Sequence, residues 1–405
     1  MAENVYDHII VGAGALGSAT AYWLSRTTGG RVLVCEQFSP GHPRGSSDDH
    51  SRIIRHAYHS PIYTALTPAA YQTWEEVEQD SGRTLLVRTG GLDFAVEGTP
   101  GFTVLRSYQD ALDAGGIPYD VLDAAAVRAQ WPQWNIDDGT TALYQRDGGF
   151  IDIRRATRTH LDLAVDRGVT VMSECVVRDV EATDTGVDIR TSKGDFSAGS
   201  LVLCAGSWLS GVLDRLGSPF TITLSQEQVQ YFAADDLDQF APTRFPIWIW
   251  HGDEEFYGIP VYGERAVKAA RDMAGKFVTV DTRGYEPDPA ETALVRAFLR
   301  ERLPACDGRA VLAKTCVYDL SRDRDLIVDA MPGHPRVFVA VGAGHAGKFA
   351  SLIGRVLTDL VLDGRTRYPV EAFRADRPSL APTAPVRFHL GAQAAGGAAS
   401  GTTGS

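Results

Sequence analysis

The chain has 405 residues, 44% hydrophobic and 22% charged, which is the composition of a globular enzyme with two domains or one large interleaved unit. Asp and Glu total 51 against 39 Lys and Arg, and the formal net charge of −12 argues against nucleic acid and anionic membranes as partners. No run of ~18 apolar residues offers a membrane span, and no metal-site spacing, P-loop or GxSxG elbow occurs.

The first element is the apolar run Ile9-Ile10-Val11, suited to a buried parallel strand, and no signal peptide is expected before it. It runs into Gly12-Ala13-Gly14-Ala15-Leu16-Gly17. Gly12 permits a tight turn, Gly14 lets the backbone approach a pyrophosphate, and Gly17 lets the following helix pack close to the strand. That helix carries Ala19, Ala21, Tyr22 and Leu24 and ends at Gly29-Gly30. A second strand, Arg31 to Glu36, ends in an acid about 20 residues past the last glycine, where a carboxylate bonds ribose hydroxyls and disfavours a 2′-phosphate. Strand, glycine turn, helix and acid together predict a dinucleotide site that is not for NADP.

Phe38 to Ser47 is loop chemistry leading into Ser51–Tyr58. Helices are expected over 61–81, 101–114, 152–167, 291–303 and 351–362. Strands are expected within 85–96, from Gly168-Val169-Thr170-Val171-Met172 to about Thr191, over Ser200–Cys204, within 221–280, and as a pair around Gly333-His334-Pro335. Beyond Leu380 the chain turns to Ala, Gly, Ser and Thr and is expected to be a disordered tail over 381–405. Nucleotide-binding pieces at the start, middle and end of the chain predict an α/β fold. Its discontinuous Rossmann-like cofactor domain spans 1–84, 150–218 and 310–380, with an inserted antiparallel-sheet substrate domain over 85–149 and 219–309. The five cysteines, Cys35, Cys175, Cys204, Cys306 and Cys316, are odd in number with no CxxC pair, and they read as reduced thiols of a cytoplasmic protein.

Several motifs add a resemblance: Gly45-Ser46, Arg52-Ile53-Ile54-Arg55-His56-Ala57-Tyr58, Tyr257-Gly258-Ile259-Pro260, Lys314-Thr315-Cys316, and Gly344-His345 with Lys348-Phe349-Ala350-Ser351. From about Tyr6 to Leu380 the chain resembles the monomeric sarcosine oxidase and N-methyltryptophan oxidase family, FAD enzymes of the wider D-amino-acid-oxidase superfamily. The resemblance implies oxidation of the C–N bond of a secondary or cyclic amino acid, with hydride transfer to FAD, hydrolysis of the imine, and hydrogen peroxide from oxygen. It implies a monomer whose partners are a small amino acid substrate and oxygen. Cys316 matches the cysteine joined by a thioether to the flavin, although a buried free thiol is the ordinary reading of such a residue. Arg55 and Lys348 match the pair that holds the substrate carboxylate, the planar fork of one complemented by the point charge of the other. Lys268, eleven residues after Tyr257, matches the lysine over the flavin edge that activates oxygen by stabilising developing negative charge. Tyr257, Tyr318 and Trp248 map to the pocket lining, and each could equally be a core aromatic. Ser46, Arg52, Val177, Gly342, Gly344, His345, Gly347 and Lys348 map to cofactor contacts, His345 through its backbone.

The chain also departs from the family pattern. Ser47, Asp48 and Asp49 follow Gly45-Ser46 where relatives have a histidine, the glycine loop before His345 is one residue shorter, and Asp272 stands where the sarcosine enzyme has a pocket histidine. An aspartate there also resembles the imino acid oxidase of an antibiotic pathway. The alternatives are therefore an imino acid or fructosyl amino acid oxidase of the same fold, and a flavin-bearing subunit without turnover. An NAD-linked dehydrogenase would share the fingerprint but leaves Cys316 and the C-terminal glycine loop without a role.

Overall fold

A computed structural model describes residues 4–388. Its first sheet has a parallel core in the order His334–Val341, Gly194–Leu203, Val5–Val11, Val32–Cys35, Thr170–Met172. Ile9 lies between Leu201 and Leu33 in register. All four residues of Val32–Cys35 are buried, as a parallel strand covered on both faces requires. Side chains alternate between the faces: Ile10, Val34 and Val202 join one apolar cluster, and Ile9, Leu33 and Leu201 the other. An antiparallel wing, Val177–Ala182 and Val187–Thr191, pairs with the first half of Gly194–Leu203. The strand Gly194–Leu203 starts straight after a hairpin turn at Ser192-Lys193 and is longer than the Ser200–Cys204 strand expected from the sequence.

Helix Ala15–Thr27 covers one face and packs on helix Ala350–Asp363. The approach depends on Gly354, where a Cβ would sit 2.5 Å from the backbone carbon of Ala19. Gly12 has φ +100°, and a Cβ there would lie 2.4 Å from the Cys204 carbonyl oxygen. A Cβ on Gly17 would fall 1.9 Å from Gly12 O, so the fingerprint glycines are required sterically before any ligand is considered.

The second sheet has nine strands, mostly antiparallel, in the order Lys276–Val278, Thr223–Phe232, Val267–Arg271, Glu255–Ile259, Ile247–His251, Gly91–Val96, Thr140–Gln145, Asp120–Asp123. Its ninth strand, Ala310–Leu320, pairs antiparallel along the whole of Thr223–Phe232. The expected boundary at residue 310 is therefore corrected: the strand bearing Cys316 lies in the inserted sheet, and the chain returns to the first sheet only at Ile327–Met331. The motif did not reveal this because a strand's sheet is set by its pairing partner, not its own composition. A third small sheet, Arg52–Ile54, Gly149–Ile151 and Leu86–Arg88, joins the two.

The long helix Pro61–Ser81 and helices Pro100–Gly115, Ile153–Asp166 and Pro289–Arg302 stand where periodicity placed them. Strand Asp120–Asp123 and helix Ala124–Gln130 carried no clear signal. Of the expected tail, 381–388 packs back on the body: Arg322 donates to Ala384 O at 2.5 Å, and Phe388 lies 5.3 Å from Phe277. The rest of that tail, 389–405, lies outside the described residues. No helix among the described residues is long and apolar enough to cross a membrane.

Replacing Gly354 by Val drives a branched side chain into the Ala19 backbone. A loss of about 1–3 kcal/mol is expected from overpacking, read as a Tm lower by a few degrees. An unchanged Tm would show that this helix contact can relax.

Candidate active site

A cavity of ≈ 650 Å³ begins at the fingerprint and ends between the sheets. Its near end is walled by Gly12–Leu16, Glu36, Val177 and the Cys204–Trp208 turn, and its far end by Arg55, Tyr257, Lys268, Asp272, Cys316, Tyr318, Arg324 and Lys348. Glu36 sits at the near end, accepting from the Ala13 amide at 2.8 Å and the Phe38 amide at 2.9 Å. Burial opposes its ionisation, but His42 and these two amides outweigh that and hold its carboxyl below the usual range.

Loop 46–52 forms one side of the middle. The Ser46 hydroxyl donates to Val317 O, the Ala15 amide donates to Ser47 Oγ at 2.8 Å, and Asp48 pairs with Lys314 and with Arg154 at 2.6 Å. Arg52 ties the loop to itself, donating to Ser46 O at 2.7 Å, Ser51 O at 2.8 Å and Asp48 O at 3.1 Å, while its stem lies 3.0 Å from where a Gly347 Cβ would be.

On the facing strand, Lys314, Cys316 and Tyr318 alternate and so share one face. Cys316 is half-buried beside Glu227 in register. Burial pushes the Cys316 thiol up to about 11 against the favourable charge of Arg52. Burial also raises Glu227, to about 7, although its carboxylate accepts from Ser225 and from the Ala274 and Gly275 amides. Tyr318 lies flat against Gly344, which has φ +81° and whose Cβ would fall 2.5 Å from the ring. Gly342 donates its amide to buried Asp319 at 3.1 Å.

Arg55 and Lys348 meet at the far end. Arg55 is 7% exposed; its Nη2 donates to the Tyr108 hydroxyl at 3.2 Å, and its Nε lies 3.4 Å from Asp93. Lys348 lies on the 3₁₀ turn Ala346–Phe349, with its carbonyl held by Trp74 Nε1 at 2.7 Å. Its ammonium stands 5.1 Å over the Tyr58 ring and makes no ion pair among the described residues. Burial, and then the nearby Arg55 charge, bring it down to about 7. Asp272 is on the cavity wall, not in solvent: it accepts from Arg324 at 2.7 Å and from the Tyr318 hydroxyl at 3.3 Å. His345 contacts Ala343 O at 3.0 Å and the Tyr63 hydroxyl at 3.1 Å.

One expected lining residue is displaced. Trp248 is fully buried 5.4 Å from Trp134 and 5.6 Å from Phe298, away from the cavity, and Gly258 gives its ring room. Strand alternation turns Ile249 to the cavity in its place. Gly17 also lies behind the wall, where it sets helix packing.

Five further groups are not among the expected site residues: Asp49 at the middle, Glu255 and Arg324 on the far wall, and Asp93 and His251 buried behind Arg55. Asp93, an acid inside the apolar run Gly91-Leu92-Asp93-Phe94, was the one readable signal, because a buried carboxylate requires partners. The His251 ring is fully buried and bridges Asp93 at 3.1 Å and Glu255 at 3.0 Å.

A fingerprint-lined cavity that continues into a pocket of buried cations defines a dinucleotide-dependent enzyme. The glycine turn and Glu36 at one end and Cys316 at the other are the groups available to hold FAD. The FAD dependent oxidoreductase family model, DAO, matches residues 7–360, and the chain belongs to that family. It is 33% identical over 390 residues to a monomeric sarcosine oxidase of Streptomyces avermitilis, covering 93% of this chain and 99% of the relative. It is 29% identical over 380 residues to an N-methyl-L-tryptophan oxidase of Escherichia coli, covering 92% and 99%. Among solved structures, NikD, an unusual amino acid oxidase essential for nikkomycin biosynthesis, superposes with a TM-score of 0.81 at 23% identity, covering 96% and 99%; this likeness concerns the fold.

His251 gives a pH prediction. Burial lowers a histidine's pKa, but here Glu255 and Asp93 outweigh it and raise it to about 9. The native state therefore binds the proton more tightly than the unfolded chain. The resulting stability is fully present below the ordinary value of 6.5 and is lost as pH rises through about 9. Tm should fall between neutral pH and pH about 9, and His251→Gln should flatten that slope. An equal slope in the variant would assign it to other groups.

Proposed function

We propose that the protein is an FAD-dependent oxidase of the C–N bond of a secondary or cyclic amino acid, yielding an imine that hydrolyses and hydrogen peroxide. The observation that carries this reading is the convergence of Arg55 and Lys348 on one end of the cavity that starts at the dinucleotide fingerprint. Bound FAD supplies the two-electron acceptor. Arg55, braced by Asp93 and Tyr108, and Lys348 hold a carboxylate, each charged hydrogen bond contributing about 1.5–3 kcal/mol. That grip fixes which C–H bond faces the cofactor. Tyr257 and Tyr318 form walls that exclude water. Lys268 supplies the cation for oxygen, and Cys316 the thioether. Carbon–sulfur bond formation, which would replace a C–H bond of the flavin methyl with the electron pair passing to the flavin and then to oxygen, would need the thiolate; burial opposes it and the Arg52 guanidinium favours it.

Asp272 shapes the substrate end. With Arg324 and the Tyr318 hydroxyl bound to it, the carboxylate is an oriented acceptor and not an isolated charge. This favours a substrate with a hydrogen-bond donor beyond its α-amine, and it supports the imino acid reading over small N-methyl substrates. Retention of Arg55, Lys268 and Lys348 in one cavity supports turnover over a silent flavin subunit. A monomeric, cytoplasmic enzyme is part of the proposal, supported by the names of the relatives and by five unpaired cysteines.

Peroxide release across sarcosine, N-methyl amino acids, proline, pipecolate and fructosyl amino acids tests the reading. A free carboxylate should be required, and Arg55→Met should raise KM at least tenfold, about 1.4 kcal/mol or more. Efficient turnover of amides or esters would contradict it. The tether has its own test: acid precipitation should leave the yellow colour in the pellet for native protein and in the supernatant for Cys316→Ala. Flavin wholly in the native supernatant would refute the covalent bond.

A further inference from the structure

Lys268 does not face the cavity as an isolated cation. Its ammonium donates to Asp49 Oδ2 at 2.5 Å and to Ser51 O at 3.1 Å. The same Oδ2 accepts from Arg52 Nη1 at 3.2 Å, and Oδ1 accepts from the Tyr231 hydroxyl. Asp49 is 3% exposed and lines the cavity. Its backbone has φ +129°, a conformation that glycine takes freely and an aspartate only under strain. A strained, buried carboxylate is expensive to keep, and packing alone does not require one here.

We propose that Asp49 sets the oxygen reactivity of this enzyme by partly neutralising Lys268, which makes it a positioning residue for reoxidation of the cofactor. The inference rests on the proposed role of Lys268. In reoxidation, reduced flavin passes two electrons and two protons to oxygen, giving oxidised flavin and hydrogen peroxide. The first electron places a negative charge on oxygen, and fixed cations stabilise it. Lys268, Arg52 and Asp49 sum to one positive charge, whereas the two cations alone would sum to two. The carboxylate also holds the ammonium toward loop 46–52, with Ser51 O as the second anchor. Oxygen therefore meets a weaker field than a free lysine would supply. A cationic one-electron acceptor such as ferricenium loses charge on reduction, so Asp49 gives it no such handicap.

The test uses Asp49→Asn and Asp49→Gly holoenzymes. Glycine adopts this backbone without strain, so the second variant keeps the fold if the first does not. Stopped-flow reoxidation by oxygen should accelerate about ten- to hundredfold on removal of an adjacent charge, while the ferricenium rate should stay within about twofold. Sulfite, an anion that bleaches oxidised flavin without turnover, should bind more tightly to both variants, a change that a merely structural role would not produce. Unchanged or slower oxygen reaction with unchanged sulfite affinity in both variants would overturn the proposal. Lys268→Met separates the two readings. If it slows oxygen while neither Asp49 variant speeds it, the pairing alone is wrong. If it reoxidises at the native rate, the role of Lys268 fails, and this inference fails with it.

Discussion

The site depends on one constraint: charges taken out of water must be matched before the two sheets can close on each other. Loop 46–52 meets that constraint. It leaves the cofactor sheet after Glu36 and places Asp48 against Lys314 and Asp49 against Lys268, two lysines on different strands of the antiparallel sheet. The Ser46 hydroxyl, on the Val317 carbonyl, adds a third attachment. Without these partners the two lysines would be desolvated and unpaired at the seam, and the cavity would have no reason to keep its width. The same bonds that align the sheets therefore fix the cations that line the cavity.

The far end follows a similar logic with a different result. Arg55 is braced from behind by Asp93, which is itself held by His251, and His251 by Glu255. Each acid in this row lies beside a cation, so the row is close to electroneutral. Lys348 stands outside it, over an aromatic face, and burial and then the Arg55 charge lower its pKa. On the proposed reading, a substrate carboxylate from solution completes the balance.

The cofactor sheet was largely legible because each signal was local. The glycines, the apolar strands and Glu36 lie within one βαβ unit, and the helix expected over 61–81 is Pro61–Ser81, which the structure shows capped by Ser60 and Gly82. What escaped was whatever depended on pairing between distant strands. Cys316 was singled out by its motif, yet its sheet was misread, since only the register with Glu227 assigns it. Trp248 and Ile249 differ by one position, and the face each presents is set by neighbours far along the chain. Asp49 and Arg324 were unreadable as site residues, and Asp93 showed only as an acid in an apolar run, because their partners lie tens to hundreds of residues away.

The departures from the family pattern acquire a physical sense in this frame. Asp48 and Asp49 replace the expected histidine region with two carboxylates, each bound to a lysine and an arginine: Lys314 and Arg154 for one, Lys268 and Arg52 for the other. Asp272, at the other departure, likewise carries its own arginine, Arg324. In each case the added acid lies beside a cation, and where that cation belongs to the family motifs, as Lys314 and Lys268 do, the acid offsets a positive charge and changes the hydrogen-bonding surface. On the proposed reading, a pocket altered in this way leaves Arg55 and Lys348 to hold a carboxylate, and it changes the polarity offered to oxygen and to the rest of the substrate. That separation lets one fold retain its chemistry while its specificity shifts.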